Sequence, residues 1–369
     1  MLPRMVELKV RDQAFDETTS ASTGTLELGR VRAELPGKFA QSSELNAMKV
    51  TELKTLSPSR IVVAAKLMPP NTLKRLLTDE KYLKDLAVRM PREISALEDT
   101  AQLLFLAFKG ESKIDKADDL RTVLDLQFFS DLDVVTVQQS PGVSPEDYVS
   151  LYSYASRWKE ERGFDGPTMP VLSALGSREE FEKCLDPILK REPQCLGIDM
   201  RGGFHYHTLR AVEAVKKKRP EMWVHVFQIP PKVLFGRSMA ACSQGMILPY
   251  FGVDSFSKWI VPPPPVPLTK DKINVFDRTA WSVLKRKEWS KVHGKKLECD
   301  CPICEARNLD ALFQGRVMDA LARSKVHDHF AQKEELKISA ARIKQRSYRK
   351  LLQSKQGPKS ILETLEKNP

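Results

Sequence analysis

Short apolar runs recur along the middle of this chain and alternate with amphipathic stretches. Their starts are mostly about 25 to 35 residues apart, the length of one strand–helix unit. The predicted strands are Ile61 to Met68, Asp133 to Val137, Met169 to Leu175, Cys195 to Met200, Trp223 to Ile229 and Gly245 to Tyr250. Strands this uniformly apolar are buried on both faces, so helices must cover a parallel sheet. The pattern predicts an α/β fold, either a closed (β/α) barrel or a doubly wound sheet.

Two of the intervening helices have recognisable starts. Ser144 precedes Pro145 and two acidic residues, an arrangement that caps a helix and complements its dipole. Ser177 and Glu180 have the spacing of a capping box. No glycine-rich dinucleotide fingerprint or P-loop follows a predicted strand, which excludes the usual nucleotide-binding folds.

Composition divides the chain into three parts. Residues 1–50 are polar without a clear period and are expected to form a lead-in that carries no chemistry, and residues 51–265 are expected to form the strand–helix domain. Four prolines end that domain and are typical of an extended linker. Residues 266–369 are charged and are expected to close with a basic helix. The basic residues of this helix are Arg342, Lys344, Arg346, Arg349 and Lys350.

The formal net charge of +11 favours a polyanionic partner, because each cation that neutralises a phosphate releases a counterion. Nucleic acid is therefore the expected partner. The start of the chain has no secretory signal, and no stretch reaches the roughly 18 apolar residues of a membrane helix. A cytoplasmic location without a membrane partner is expected.

Cys299, Cys301 and Cys304 lie within six residues of one another. Three thiolates at this spacing can bind one Zn²⁺, and tetrahedral closure then requires a fourth ligand. His327 and His329 follow, and either can supply it. With four protein ligands, no coordination position remains for an activated water, so the zinc is expected to be structural.

The cysteine cluster, the later histidine and the basic helix together resemble the zinc subdomain of tRNA-guanine transglycosylases. His329 lies 25 residues after Cys304 and 13 before Arg342, which matches the family spacing and favours His329 over His327.

Upstream segments continue the resemblance. His225 to Ile229, a helix, and then Gly252 to Phe256 are similar to the family's strand, helix and nucleophile strand. Gly202 and Gly203 match the glycine-rich turn that holds the incoming base through backbone groups. Gln139 lies where the family ends a strand in a base-reading aspartate.

The resemblance implies a (β/α)8 TIM-like barrel with a C-terminal zinc-binding subdomain. It also implies base exchange in a nucleic acid. Asp254, as the nucleophile, would attack C1′ of a guanosine and form a covalent aspartyl intermediate; guanine would leave, and a 7-deazaguanine such as 7-cyano-7-deazaguanine would enter. Members of the family tend to pair subunits, so a homodimer or heteromer is expected.

Two departures from the family separate this chain from the tRNA enzymes. The family's second catalytic aspartate lies in a Thr-Asp-Ser-Gly-Phe setting that is absent here, and Asp99 is the nearest acid/base candidate by order along the chain. The base-reading aspartate is replaced by Gln139. These departures resemble the DNA 7-deazaguanine transglycosylases, so DNA and tRNA both remain as substrates. The alternative function is a non-catalytic accessory subunit that binds nucleic acid.

Overall fold

Parallel strands covered by helices form the central part of the protein. The computed structural model describes residues 6–51, 60–94, 100–174, 177–232, 242–258, 260, 267–304 and 308–367. Within these residues the strands are β1 (Leu8–Asp16), β2 (Ala21–Leu28), β3 (Val31–Leu35), β4 (Gly37–Lys38), β5 (Ala40–Gln41), β6 (Ile61–Met68), β7 (Ala101–Phe108), β8 (Val135–Gln138), β9 (Thr168–Ser173), β10 (Cys195–Asp199), β11 (Trp223–Ile229), β12 (Ser255–Lys258), β13 (Asn274–Asp277) and β14 (Ser282–Lys285). The α-helices are α1 (Ser42–Val50), α2 (Pro70–Thr78), α3 (Glu80–Ile94), α4 (Ala117–Phe129), α5 (Pro145–Arg162), α6 (Arg178–Leu189), α7 (Tyr206–Lys218), α8 (Gln244–Ile247), α9 (Arg286–His293), α10 (Leu309–Leu312), α11 (Val317–Lys344), α12 (Tyr348–Ser354) and α13 (Gln356–Lys367).

The predicted α/β class with parallel strands is confirmed, and five of the six predicted strands are present as β6 and β8 to β11. Leu175, at the end of one prediction, lies outside the described residues. The predicted strand Gly245 to Tyr250 is wrong, because this segment forms α8 and a 3₁₀ turn, Leu248–Phe251. A short, fully buried apolar run suits either conformation. The next strand is β12, which follows this turn.

Parallel pairing connects the strands into two sheets. One has the order β4-β12-β11-β10-β9-β8, and the other has the order β5-β6-β7. Residues 37–41 contribute to both, since β4 pairs with β12 and β5 pairs with β6. The remaining edge strands of the two sheets are β7 and β8. An isolated parallel bridge joins Leu103 of β7 to Val134, which directly precedes β8.

The local sequence signals for the helix starts are confirmed. Ser144 accepts a hydrogen bond from the backbone of Asp147, and Ser177 and Glu180 form both bonds of a capping box. The basic run near the C-terminus was predicted as one helix and is two. It breaks between α11 and α12, where Arg346 has a φ of 52°.

The two faces of the parallel strands have different coverings. The helices pack on the outer face, where they form the larger apolar core. The inner face has its own apolar cluster, which includes Leu8, Leu26 and Leu35 of the antiparallel sheet β1-β2-β3 together with Ile61 and Trp223 at the amino ends of β6 and β11. The antiparallel sheet therefore covers the amino-terminal end of the inner face.

Residues 1–50 were expected to be a lead-in, and that expectation is wrong for the part that is described. They form β1 to β5 and α1, and they complete the parallel pairing at residues 37–41. The outward positions of β1 are exposed and polar, which hides its period in the sequence. The predicted proline linker falls at residues 261–266, outside the described residues.

Candidate functional site

The inner face changes character near the carboxyl ends of the strands. Side chains on a strand alternate between faces, so Cys195 and Asp199 share the inner face of β10, as Val171 and Ser173 do on β9. Asp199 pairs in register with Ser173 on one side and with Phe227 on the other. Ser257, on β12, shares the inner face with His225 of β11, whose Nε2 lies 3.2 Å from its Oγ. We call the inner-face positions Gln138, Ser173, Asp199 and Ser257 the polar layer.

Asp199 ends β10 and is the carboxylate of the polar layer. Its Oδ1 accepts from the backbone N–H of Arg201 at 2.9 Å and from Gln228 Nε2 at 3.2 Å. Its Oδ2 accepts from Arg201 Nε at 3.3 Å. Burial raises the pKa of Asp199 above its ordinary value, against the lowering effect of the Arg201 guanidinium. A carboxyl group at the carboxyl end of a parallel strand that can hold a proton is a candidate acid/base.

Gln228 contacts Asp199, Gln244 contacts the turn that follows β10, and each has an acceptor without a partner. Gln228 donates to Asp199, and Gln244 Nε2 donates to the carbonyl of Gly203 at 3.2 Å, while the Oε1 atoms of both glutamines are buried without a hydrogen-bond partner. Gln228 has a φ of 55° at an irregularity in the β11–β12 pairing, and Arg201 has a φ of 45°. Unpaired buried acceptors and strained backbone at one strand end are typical of a ligand site.

Sequence reasoning missed Asp199 and Gln228. Asp199 lies three residues before Gly202, and the resemblance predicted a binding role only for Gly202 and Gly203. The usable signal was a polar residue at the end of an apolar strand, immediately before a turn.

The structure gives Gln139 a different environment from the predicted base-reading one. Its Oε1 accepts from the backbone N–H of Ser173 at 3.0 Å, and its Nε2 lies 3.4 Å from Cys184 Sγ on α6. Gln139 therefore points toward the helices. Gln138, its neighbour, lies in the polar layer, where its Nε2 is buried without a partner.

Gly202 and Gly203 follow Asp199 by three and four residues, and their N–H groups are used within the protein. Gly202 donates to the carbonyl of Gln228 at 2.9 Å, and Gly203 donates to that of Met200 at 2.8 Å. Gly202 has a φ of +79°, and a Cβ on Gly203 would come within 2.4 Å of His205 Nε2. Backbone geometry and close packing account for both glycines.

Asp254 lies at the opposite end of the strands from the polar layer. It directly precedes β12, and its backbone N–H donates to Val224 near the start of β11. Oδ1 accepts from Ser22 Oγ at 2.7 Å, and Oδ2 accepts from Lys216 Nζ at 2.7 Å and from the N–H of Val224 at 2.8 Å. Asp254 is 1% exposed. This placement corrects the nucleophile assignment, since both oxygens join β2, α7 and β11 at the amino edge. Asp99 lies outside the described residues.

A second cluster lies at the cysteine motif. Cys299, Cys301, Cys304 and His327 are buried, and their ligand atoms lie within 4.8 Å of one another. Nδ1 of His327 is 3.2 Å from Cys304 Sγ and 3.7 Å from Cys301 Sγ. The cluster could hold a metal ion, and three thiolates with one imidazole are a donor set consistent with Zn²⁺.

The preference for His329 as fourth ligand is wrong, and the alternative His327 is in the cluster. Two residues along an α-helix are about 200° apart around its axis. His329 therefore faces away, and its Nδ1 lies 3.6 Å from Glu44 Oε1. His327 Nε2 is 2.9 Å from the carbonyl of Phe276, which places the ring hydrogen there and leaves Nδ1 for a metal.

No protein-family model and no curated protein matches the sequence. Among solved structures, the chain is similar to a putative phosphonomutase from Burkholderia cenocepacia J2315, with 13% identity over 60% of this chain and 86% of that chain, and a TM-score of 0.36. ICChI chitinase from Ipomoea carnea has 9% identity over 60% and 93%, with a TM-score of 0.37. A truncated 3-deoxy-D-arabino-heptulosonate 7-phosphate synthase from Thermotoga maritima has 14% identity over 64% and 80%, with a TM-score of 0.33. These scores are low, and the similarities carry no argument about fold or activity. Across the described residues, no helix has the length and apolar character needed to span a membrane.

Proposed function

We propose that this protein exchanges a guanine base in a nucleic acid for a 7-deazaguanine, as the resembling transglycosylases do, with the base held at the polar layer. We infer further that the parallel strands close into a (β/α)8 barrel. There are eight of them when β4 and β5, at residues 37–41, are counted as one. Support for closure comes from residues 37–41, which pair with both β12 and β6, and from the Leu103–Val134 bridge on the other side.

The observation that carries the proposal is the unpaired acceptor of Gln228 beside a buried carboxyl group, with a second unpaired acceptor, that of Gln244, at the turn after β10. Guanine presents N–H donors on its pairing edge, and enzymes that act on a base read that edge in a pocket after the base leaves the stack. Gln228 Oε1 and Gln244 Oε1 are suitable acceptors for those donors. A guanine-type base therefore complements this edge.

Asp199 is the residue we assign to the proton transfers. In the exchange, the C1′–N9 bond to the departing guanine breaks and a C1′–N9 bond to the incoming base forms. The departing guanine takes up a proton at N9 and the incoming base loses its N9 proton, so no net proton is consumed. A carboxyl group whose pKa is raised by burial can hold the proton that the first step needs. Asp254 has no part in this chemistry, because it lies at the amino edge in an ion pair with Lys216.

The metal that we assign to the cysteine cluster is a structural Zn²⁺. Four protein ligands complete a tetrahedron and leave no position for substrate or water. Metal content tests the ligand set: purified wild type and His329→Ala should carry about one zinc per chain, whereas His327→Ala should lose it. Zinc retained by His327→Ala and lost by His329→Ala would reverse the assignment.

A nucleic-acid partner is supported by the C-terminal basic residues. From residue 336 to residue 362 the sequence has no Asp or Glu. Five basic side chains are exposed from the end of α11 through α12: Arg342, Lys344, Arg346, Arg349 and Lys350. Exposed cations without intervening acids suit contacts with phosphates.

A non-catalytic accessory subunit that binds nucleic acid is the second candidate. The observation that favours it is the position of Asp254, since the residue matched to the family nucleophile is unavailable to a substrate. Under this hypothesis, the basic surface binds nucleic acid, the zinc stabilises the fold, and the polar layer does not catalyse base exchange.

Incorporation of labelled 7-cyano-7-deazaguanine into bulk tRNA and into duplex DNA separates the two candidates. Wild-type protein with its zinc should label one polymer, and Asp199→Asn should not. Label in neither polymer, from protein that binds zinc and retains nucleic acid, would reject the enzyme and leave the accessory subunit.

A further inference from the structure

Four buried side chains form one chain of hydrogen bonds on the inner face, between β11 and β12. Trp223 Nε1 donates to Ser255 Oγ at 2.7 Å. Ser255 Oγ lies 2.8 Å from His225 Nδ1, and His225 Nε2 lies 3.2 Å from Ser257 Oγ. All four residues are buried, and although Ser257 belongs to the polar layer, the contacts and proton transfers assigned above use none of the four.

The direction of this chain depends on the tautomer of His225. An indole N–H only donates, whereas each hydroxyl and the neutral imidazole carry one hydrogen. In the forward direction, Ser255 donates to Nδ1 and the Nε2–H donates to Ser257. In the reverse direction, Ser257 donates to Nε2 and the Nδ1–H donates to Ser255. Within the chain, the forward direction leaves the Ser257 hydrogen without an acceptor, and the reverse direction leaves that of Ser255.

The surroundings of the two serines favour the forward direction. Ser255 lies deep on the inner face beside Trp223, where the ring of Phe39 stacks on His225 with centroids 5.3 Å apart. A hydroxyl hydrogen left unpaired in such apolar surroundings is costly. Ser257 is one residue from the carboxyl end of β12 and belongs to the polar layer, where a ligand can accept its hydrogen.

We propose that Ser257 is a ligand-binding donor whose hydroxyl hydrogen is directed by this chain toward the carbonyl oxygen O6 of the bound guanine-type base. The assignment rests on the proposed function, since it names an atom of the same ligand. The pairing edge of guanine carries one acceptor, O6, beside its N–H donors. Ser257 would donate to O6, and the two glutamines would accept from the N–H donors. Asp199 is on β10 and Ser257 is on β12, the two strands that pair with β11. The two side chains would therefore contact the base from two sides.

Burial also lowers the pKa of His225 to about 3. The imidazole therefore stays neutral at physiological pH, and its tautomer, not its charge, sets the direction of the chain.

Nitrogen-15 NMR of the full chain tests the direction. The sequence has only six histidines, and His225→Gln identifies the signals of His225 after selective histidine labelling. We expect the Nε2–H tautomer, unchanged across neutral pH. Ser255→Ala should yield a mixture of tautomers, because Nδ1 loses its donor. Ser282→Ala, a buried strand serine outside the chain, should leave the tautomer unchanged. An Nδ1–H tautomer in wild type overturns the proposal.

Equilibrium binding of guanine and of 2-aminopurine, which lacks O6, tests the ligand contact. Wild type should prefer guanine, and Ser257→Ala should reduce that preference by about three- to tenfold, as expected for one neutral hydrogen bond. An unchanged preference overturns the donor assignment and leaves the proposed function standing. If neither base binds wild type, the proposed function fails and this assignment fails with it, even where the tautomer is as expected.

Discussion

Asp199 and Asp254 are buried aspartates at opposite ends of the same set of parallel strands. Asp254 precedes β12 at the amino edge, and each of its oxygens is bonded to a neighbouring element. Asp199 ends β10 at the carboxyl edge, where it contacts Gln228, whose Oε1 has no partner. Both are buried, so burial alone does not distinguish them.

The difference between the two lies in what surrounds them. A carboxylate whose hydrogen bonds all join elements of the fold stabilises that fold, and the amino end of parallel strands is where such residues are found. A carboxyl group beside unpaired polar atoms at the carboxyl end has capacity left for a ligand. We therefore assign the proposed proton transfers to Asp199 and stabilisation of the fold to Asp254.

The largest expected effect is on catalysis by Asp199→Asn. The amide keeps the shape of the side chain but cannot transfer a proton, so initial rates of base exchange should fall by about 10²- to 10⁴-fold. The melting temperature should fall only modestly, because Asn keeps the acceptor for Arg201 N–H and Gln228 and loses the 3.3 Å contact with Arg201 Nε. A rate within a fewfold of wild type, at matched zinc content, would remove the distinction between the two aspartates.

Local signals explain how much of this structure the sequence predicted. The capping residues Ser144 and Ser177, the run Trp223–Ile229 and the cysteine motif each depend on neighbours in the sequence, and each was found. A strand was predicted at Gly245 to Tyr250, where α8 lies, and the resemblance implied another at Gly252 to Phe256, which overlaps β12. Neither prediction fixed the residue at which β12 begins, so the sequence did not show that Asp254 lies at the amino edge.

The same limit applies to the zinc ligands. The cysteine motif and the two histidines that follow it are visible in the sequence. Which histidine faces the cysteines depends on the rotation of α11 about its axis, and packing against α1 and β13 sets that rotation. That packing turns His327 toward the cysteines and His329 toward Glu44. Family spacing alone favoured the wrong one of the two.

The next effect is on stability, and it concerns Asp254. Asp254→Ala leaves the Lys216 ammonium buried without its carboxylate, which should lower the free energy of unfolding by about 3–5 kcal/mol. Urea unfolding measures this. Exchange activity per folded molecule should remain, in contrast to Asp199→Asn.

The matched control for Asp254→Ala removes both charges. Lys216→Met combined with Asp254→Leu should be more stable than Asp254→Ala, because no charge is left unpaired. If folded Asp254→Ala loses exchange as completely as Asp199→Asn does, the amino-edge carboxylate contributes more than stability and the comparison is wrong.

The smallest expected effect is a difference in how stability varies with pH. Burial raises the pKa of Asp199 in the folded protein, so the folded state keeps a proton that the unfolded chain has already lost. The contribution of Asp199 to stability is therefore fully present below its ordinary pKa and is lost as the pH rises through its folded pKa. Asn does not titrate, so the stability of Asp199→Asn relative to wild type should rise across that window and then stay constant. Urea midpoints of wild type and Asp199→Asn, from acid to neutral pH, measure this. If the stability of Asp199→Asn relative to wild type falls as the pH rises, the fold prefers the carboxylate form of Asp199 to the protonated form.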